Sequence, residues 1–243
     1  MSYLEHFKEL RNRIIYCFLF MFLCFFFYFF FAENVAQILA RPLYNLVEES
    51  SNRRMIFTGL PEVFVSYIKI SLFASLITSF PFFITQFSLF ISPALYSKEK
   101  AFFRPIFFLI PILFFTGVFF AYFIIIPIIW EFFLSFESNQ QNNNFSIELE
   151  SRLGEYMKLT MYLLFSFGLS FLFPVFLLIL AKLKIVTVTI LKKQRKYFFI
   201  GILIFSAVFT PPDIISQLGI AIPLVIFFEI SLFLIKILIK NEN

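Results

Sequence analysis

The sequence predicts an all-α, polytopic membrane protein, on three observations. Its 243 residues are 60% hydrophobic and only 14% charged, with a mean hydropathy of +0.90. Soluble domains run at roughly half apolar and about a quarter charged, so this composition suits lipid as solvent. The apolar residues fall into runs close to the roughly 20 that a crossing helix needs. Lys and Arg collect at the ends of those runs, where headgroups would lie.

Six spans are expected, at about Ile14–Ala32, Val63–Ile91, Phe103–Ile129, Leu159–Ala181, Tyr197–Phe209 and Ile214–Ile235, all in one transmembrane domain over residues 1–243. The second and third exceed the hydrocarbon thickness and should tilt or project. The fifth is short: about 13 residues make only about 20 Å of helix before Thr210-Pro211-Pro212-Asp213. Short, Pro-interrupted segments often border a cavity, and a re-entrant hairpin is the competing reading. Pro81, Pro111, Pro127, Pro174 and Pro223 lie inside spans and should kink them toward a concave bundle.

Charge sets the sidedness. Fourteen of the twenty Lys and Arg fall on the N-terminal head, the second and fourth connections and the tail, whereas five fall on the first and third connections. The positive-inside rule therefore puts both termini on the cytoplasmic, stromal or matrix side. The outer connections carry most of the acids, among them Glu48, Glu49, Glu137, Glu148, Glu150 and Glu155. Ser138–Asn144 reads as a loose polar loop, and the glycosylation-like Asn144-Phe145-Ser146 within it as a chance match.

Several classes of function are excluded. The basic residues form no nucleic-acid footprint, and no metal, cofactor or catalytic constellation is expected; the chain reads as a non-enzyme. Cys17 and Cys24 stand seven helical residues apart, about 10 Å along the axis, too far to bridge. His6 is the single histidine, which rules out a bis-histidine haem bundle. No cleavable signal peptide is expected, because the first apolar run is long enough to stay in the membrane and no small-residue cleavage pattern follows it. No import presequence is expected, because Glu5 and Glu9 come at once. Forty-three phenylalanines and few glycines fit AT-rich organellar or symbiont coding.

The N-terminal head holds the residues with most chemical promise. Ser2-Tyr3-Leu4-Glu5 fits a capping box that starts a helix near residue 3. Along it Leu4, Phe7, Leu10 and Ile14 share one stripe, and Glu5, Glu9 and Arg13 another, with Glu9 and Arg13 a favourable i,i+4 pair. These charges either stay solvated or offer Glu9 to an incoming guanidinium, which binds carboxylate bidentately. Glu99, held near the surface after Pro93, either balances Lys98 and Lys100 or joins Glu9 in taking two adjacent arginines. With Arg104 counted in the connection before the third span, Lys69 and Glu229 are the charged residues within the spans. Lys69 can snorkel; Glu229 lies deeper and needs a proton, a partner or a wet cavity. That pair supports the alternative function, a six-span ion or proton transporter or respiratory-chain subunit, which the scarcity of intramembrane charge argues against.

His6-Phe7-x-Glu9-Leu10-Arg11-x-Arg13, Arg41-Pro42-Leu43, Pro61-Glu62-x-Phe64, Ser92-Pro93-Ala94-Leu95-Tyr96 with Glu99, Phe120-Ala121-Tyr122-Phe123 and Thr210-Pro211-Pro212-Asp213-x-x-Ser216-Gln217 occur in this order. Together they resemble the TatC family, the membrane-integral receptor subunit of the twin-arginine protein translocase, over residues 4 to about 230. The resemblance implies a six-helix, glove-shaped bundle that binds twin-arginine signal peptides of folded cargo. Glu9 and Glu99 match the acids that meet the arginines, and Arg11, Arg13, Phe90, Pro93, Leu95 and Tyr96 match the surrounding patch. Pro42 matches a residue of the first outer loop, and Pro212, Asp213 and Gln217 the hairpin between the last two spans. Small single-span TatA/TatB-type partners, homo- or hetero-oligomers and a proton gradient as energy source are also implied. The composition suits a mitochondrially encoded member, in the inner membrane, over a plastid thylakoid or bacterial one. One departure stands out: many members carry a glutamate two residues before the proline of the fourth span, and Leu172 is there instead. A more apolar concave face is the expected consequence.

Overall fold

The computed structural model describes residues 3–46, 55–94, 96–136, 152–209 and 214–240, leaving aside the side chains at 3, 4, 94, 97–99, 209, 215, 216 and 238–240. Every regular element among them is helical: α1 (Tyr3–Phe30), α2 (Ala32–Tyr44), α3 (Glu62–Ile91), α4 (Ser97–Phe120), α5 (Ile126–Leu134), α6 (Leu153–Ser170), α7 (Phe173–Lys182), α8 (Val188–Lys193), α9 (Arg195–Phe209) and α10 (Ile214–Lys240). A single bridge, Ile56 with Arg152, is the only extended pairing among the described residues. Among the described residues, five helical stretches are long and apolar enough to cross a membrane: Glu5–Phe30, Glu62–Ile91, Lys100–Leu134, Leu153–Lys182 and Gln217–Ile237. With 15 residues, α9 falls short of that length. The Ser2 cap, the Ser138–Asn144 loop and the Asn144 acceptor lie outside the described residues.

Prolines account for the breaks. α6 ends at Ser170 and α7 begins at Phe173, with Pro174 in its first turn, where a missing N–H costs nothing. Before Pro127 the helix widens into one π turn, Ala121–Ile125, between α4 and α5. α7 closes on Lys184 in the left-handed region (φ 59°), and Thr187 caps α8 by accepting from the Ile190 amide at 3.3 Å.

The chain clusters into two compact units. The first holds residues 1–112 and 150–161. In it α1 and α3 run antiparallel, as their contacts record: His6 stacks on Phe90, Phe20 on Phe82, and Tyr28 Oη meets Thr78 Oγ1 at 2.7 Å. Small polar residues are also buried along α3. Ser66, Ser71, Ser75 and Ser79 are buried on α3, and Ser71 and Ser75 donate to their own helix, to the carbonyls of Tyr67 and Leu72 at 2.7 Å each. α2 buries Ala32, Ala36, Leu39, Ala40, Pro42 and Leu43, and the Tyr156 hydroxyl of α6 donates to the Leu39 carbonyl at 2.9 Å.

The second unit holds residues 113–149 and 162–243. Here α4 and α6 cross at two glycines. A Cβ at Gly117 would stand 2.5 Å from the Phe167 carbonyl, and one at Gly168 would stand 2.6 Å from the Phe114 ring. Only hydrogen fits at either position. α10 packs along α7, α8 and α9, with Ile220, Leu224, Phe228, Leu232 and Ile235 buried.

Candidate functional site

The N-terminal acid is built into a hydrogen-bonded cluster. Arg13 donates from Nε (3.0 Å) and from one terminal nitrogen (2.6 Å) to the same oxygen of Glu9, Oε1. Its other terminal nitrogen reaches across to Gln86 Oε1 of α3 at 3.2 Å. The i,i+4 pair expected from the sequence is therefore formed and tied to the neighbouring helix. Glu9 Oε2 is buried and has no hydrogen-bond partner among the described residues. A buried carboxylate oxygen without a donor is costly, and a ligand donor would remove that cost.

Arg13, the partner of Glu9, also borders apolar surface. Arg13, Gln86 and Phe90 line a cleft of about 290 Å³ between α1 and α3, whose walls include Leu10, Cys17 and Phe87. Phe90 is held by the His6 ring, stacked at 4.4 Å and 17°. Arg11 is exposed on the same helix, Pro93 is exposed in a 3-10 turn after α3, and Tyr96 is 80% exposed. Glu99 lies in the first turn of α4, with its side chain outside the described residues, as is Leu95 altogether. Glu9, Arg13 and Phe90 are thus gathered in one place, with Gln86 and His6 as members the sequence reading did not assign. A glutamine one turn before Phe90 on an apolar helix was the available signal.

The other singled-out residues have structural surroundings. Arg41-Pro42-Leu43 forms the end of α2, Pro42 and Leu43 buried and Arg41 exposed. Gln217 Nε2 donates to the Leu203 carbonyl at 3.2 Å, joining α10 to α9, while Pro212 and Asp213 lie outside the described residues. Lys69 is exposed. Glu229 is not the lone carboxylate its apolar neighbours suggest: Arg195, the first residue of α9, donates to it at 2.9 Å. The sequence reading missed this because Arg195 sits 34 positions away in a connection counted only for its charge.

Two further features bear on the family pattern. Leu172 lines a cavity of about 630 Å³ with Phe173, Phe176, Phe198 and Phe205, so the site where a glutamate was looked for is apolar. Glu62, quoted only as part of a motif, is a staple. It accepts from the Thr58 amide (2.8 Å), the Gly59 amide (3.2 Å) and, on its other oxygen, the Gly154 amide of α6 (3.2 Å).

Comparison with known proteins agrees with this architecture. Residues 5–223 match the family model described as Sec-independent protein translocase protein (TatC). A Sec-independent protein translocase protein TatC from Desulforapulum autotrophicum is 37% identical over 98% of this chain and 86% of its own length. One from Rickettsia prowazekii is 36% identical over 95% and 91%, and a tatC-like protein, ymf16, from Reclinomonas americana is 35% identical over 99% and 89%. A crystal structure of the twin arginine translocase receptor TatC superposes with a TM-score of 0.78 at 33% identity, covering 95% of this chain and 98% of that one. The chain belongs to the TatC family: it is an integral membrane protein of the Sec-independent, twin-arginine protein translocase.

Proposed function

We propose that this chain is the receptor subunit that takes up twin-arginine signal peptides of folded cargo, and that Glu9 is the principal anchor for the first guanidinium. The observation that carries this reading is the buried, unpartnered Oε2 of Glu9, whose partner Arg13 borders an apolar cleft. A guanidinium offers paired N–H donors in a fixed fork, which an ammonium cannot match. Arg13 saturates Oε1, so it leaves the carboxylate oriented with one oxygen open. Phe90 and the cleft walls would take the apolar residues that follow the arginines. Glu99 would receive the second guanidinium, with Arg11, Pro93, Leu95 and Tyr96 shaping the patch.

In this reading the chain is a six-span membrane domain with both termini on the inner side. Pro42, Pro212, Asp213 and Gln217 serve the outer loops and partner contact, and Glu229 and Lys69 have no transport role. Small single-span TatA/TatB-type subunits assemble with it, the proton gradient supplies the energy, and no catalytic chemistry is involved. Its membrane is the mitochondrial inner membrane, a reading supported by likeness to the ymf16 proteins of Reclinomonas americana and Nephroselmis olivacea. The Arg195–Glu229 pair speaks against an ion-transporting alternative, because it engages Glu229 as a tie between α9 and α10.

The test is site-specific photocrosslinking from positions 9 and 99 to a twin-arginine peptide in native membranes. Adducts from both positions, weakened when the peptide carries Lys-Lys, are expected. If Glu9→Ala and Glu99→Ala together leave peptide binding unchanged, the reading is wrong.

A further inference from the structure

We propose that the cleft between α3 and α4 is a binding site for one anionic phospholipid, its phosphate on Lys100 and Arg104 and an acyl chain in the apolar end. Two prolines line the cleft, Pro81 of α3 and Pro111 of α4, each without the N–H that a helix interior uses to bond the carbonyl four residues back. The cavity is about 660 Å³, inside the ~300–1,000 Å³ range typical of ligand sites. Phe87 and Phe107 meet edge-on at 6.5 Å where the two helices do touch.

Polarity is sorted along the cleft. Lys100 and Arg104 line one end, one helical turn apart and both exposed; Phe108, Pro111 and Ile112 line the other. From Lys100 to Ile112 the helix rises about 18 Å, close to half of a roughly 30 Å hydrocarbon core. The cleft is therefore one leaflet deep, with cations at one end and hydrocarbon at the other, which is the layout of a phospholipid. Phe108, 75% exposed, lines the cleft at its apolar end, within reach of an acyl chain from the bilayer.

Hydrogen bonding selects the charge of the guest. The hydroxyls of Thr85 and Ser88 donate to the carbonyls of Pro81 and Thr85 at 2.8 Å each, so they turn only lone pairs toward the cleft. The charged donors at the polar end are the two cations, with the Ser92 hydroxyl beside them, and they call for an anion. An arginine-bearing peptide would meet like charge there. Basic pockets between membrane helices hold acidic headgroups by this same chemistry. The site uses neither Glu9 nor its cleft, so its failure and that of the receptor reading are separable.

The test is photolabelling of the full-length protein in lipid nanodiscs with a phosphatidylglycerol carrying a diazirine in its acyl chain, mapped by mass spectrometry. Labels are expected within residues 81–92 and 103–112. Lys100→Gln with Arg104→Gln should lower them at least fivefold while the melting temperature is kept, and Ser88→Trp should lower them with both charges intact. A phosphatidylcholine probe with the same chain should label weakly and ignore the charge change. Equal labelling by both probes, labelling unaffected by either variant, or an equal loss in Lys192→Gln with Lys193→Gln overturns the proposal. So does displacement of the lipid probe by excess twin-arginine peptide, which would assign the cleft to the peptide.

Discussion

Arg195 and Glu229 meet at 2.9 Å across the hairpin formed by α9 and α10. The pair is a ruler. From Arg195 to Phe209 α9 rises about 21 Å, and from Ile214 to Glu229 α10 rises about 22 Å, so the two arms reach one level where the charges pair. α10 then continues to Lys240, with Leu232 and Ile235 buried against the rest of its unit. The acid that looks deep in an apolar run is level with the start of the short helix.

Both partners are close to half exposed, so the pair should contribute little by itself, about 0–1 kcal/mol. Removing only the arginine is different, because it strands a carboxylate near lipid. Arg195→Ala is expected to lower the melting temperature in detergent more than Glu229→Gln does. The double variant Arg195→Ala with Glu229→Gln should recover most of the loss, and a thermal double-mutant cycle checks this.

Gly117→Ala and Gly168→Ala should each destabilise by about 1–3 kcal/mol, the range for overpacked cores. Their new Cβ atoms would sit 2.5 Å from a backbone oxygen and 2.6 Å from a ring. Gly201→Ala is the contrast: nothing lies within 4 Å of its Cβ position, and it sits inside α9. Helix propensity alone then favours the substitution by about 0.5–1 kcal/mol. Thermal unfolding of the three variants in one detergent separates the cases.

Glu62→Ala should leave the amides of Thr58, Gly59 and Gly154 without their acceptor. Hydrogen exchange at those three amides should rise together, although Gly154 is 92 positions away in the chain. Unchanged exchange at Gly154 would show that the carboxylate does not join α3 to α6.

Glu9→Gln should weaken binding of a fluorescent twin-arginine peptide at least tenfold, about 1.4 kcal/mol, since it replaces a charged acceptor by a neutral one. Gln86→Ala should have a smaller effect in the same direction, because Arg13 would lose its 3.2 Å anchor to α3 and Glu9 its orientation. Affinity titrations with Arg-Arg and Lys-Lys peptides report both. Equal loss for the two peptides would mean that Glu9 acts as a bulk charge.

Leu172→Glu places a carboxylate on a cavity walled by Phe173, Phe176, Phe198 and Phe205, with no Lys or Arg among its lining residues. A polar head buried there without a partner is costly, so the variant should lower the melting temperature in detergent, and Leu172→Met should not. Thermal unfolding of the two variants side by side is the measurement.

The helical class, the placing of the apolar runs, the short helix before Thr210 and the Glu9–Arg13 pair were all legible in the sequence. Each depends on nearest neighbours along the chain: a run of apolar residues, a spacing of four, a proline without an N–H. Arg195 with Glu229, Arg13 with Gln86, Glu62 with Gly154 and the glycines at the α4–α6 crossing were not. Those contacts join residues tens of positions apart, and every apolar helix in this chain offers several faces that look alike. In a soluble protein an amphipathic stripe tells which face turns inward, but in lipid both the buried and the exposed faces are apolar. Composition and periodicity therefore determined that this chain is a helical membrane protein, and its motifs which family it resembles. Only tertiary packing decided which serines, glycines and charged groups meet, because in hydrocarbon that choice rests on close fit and on finding a partner for each polar atom.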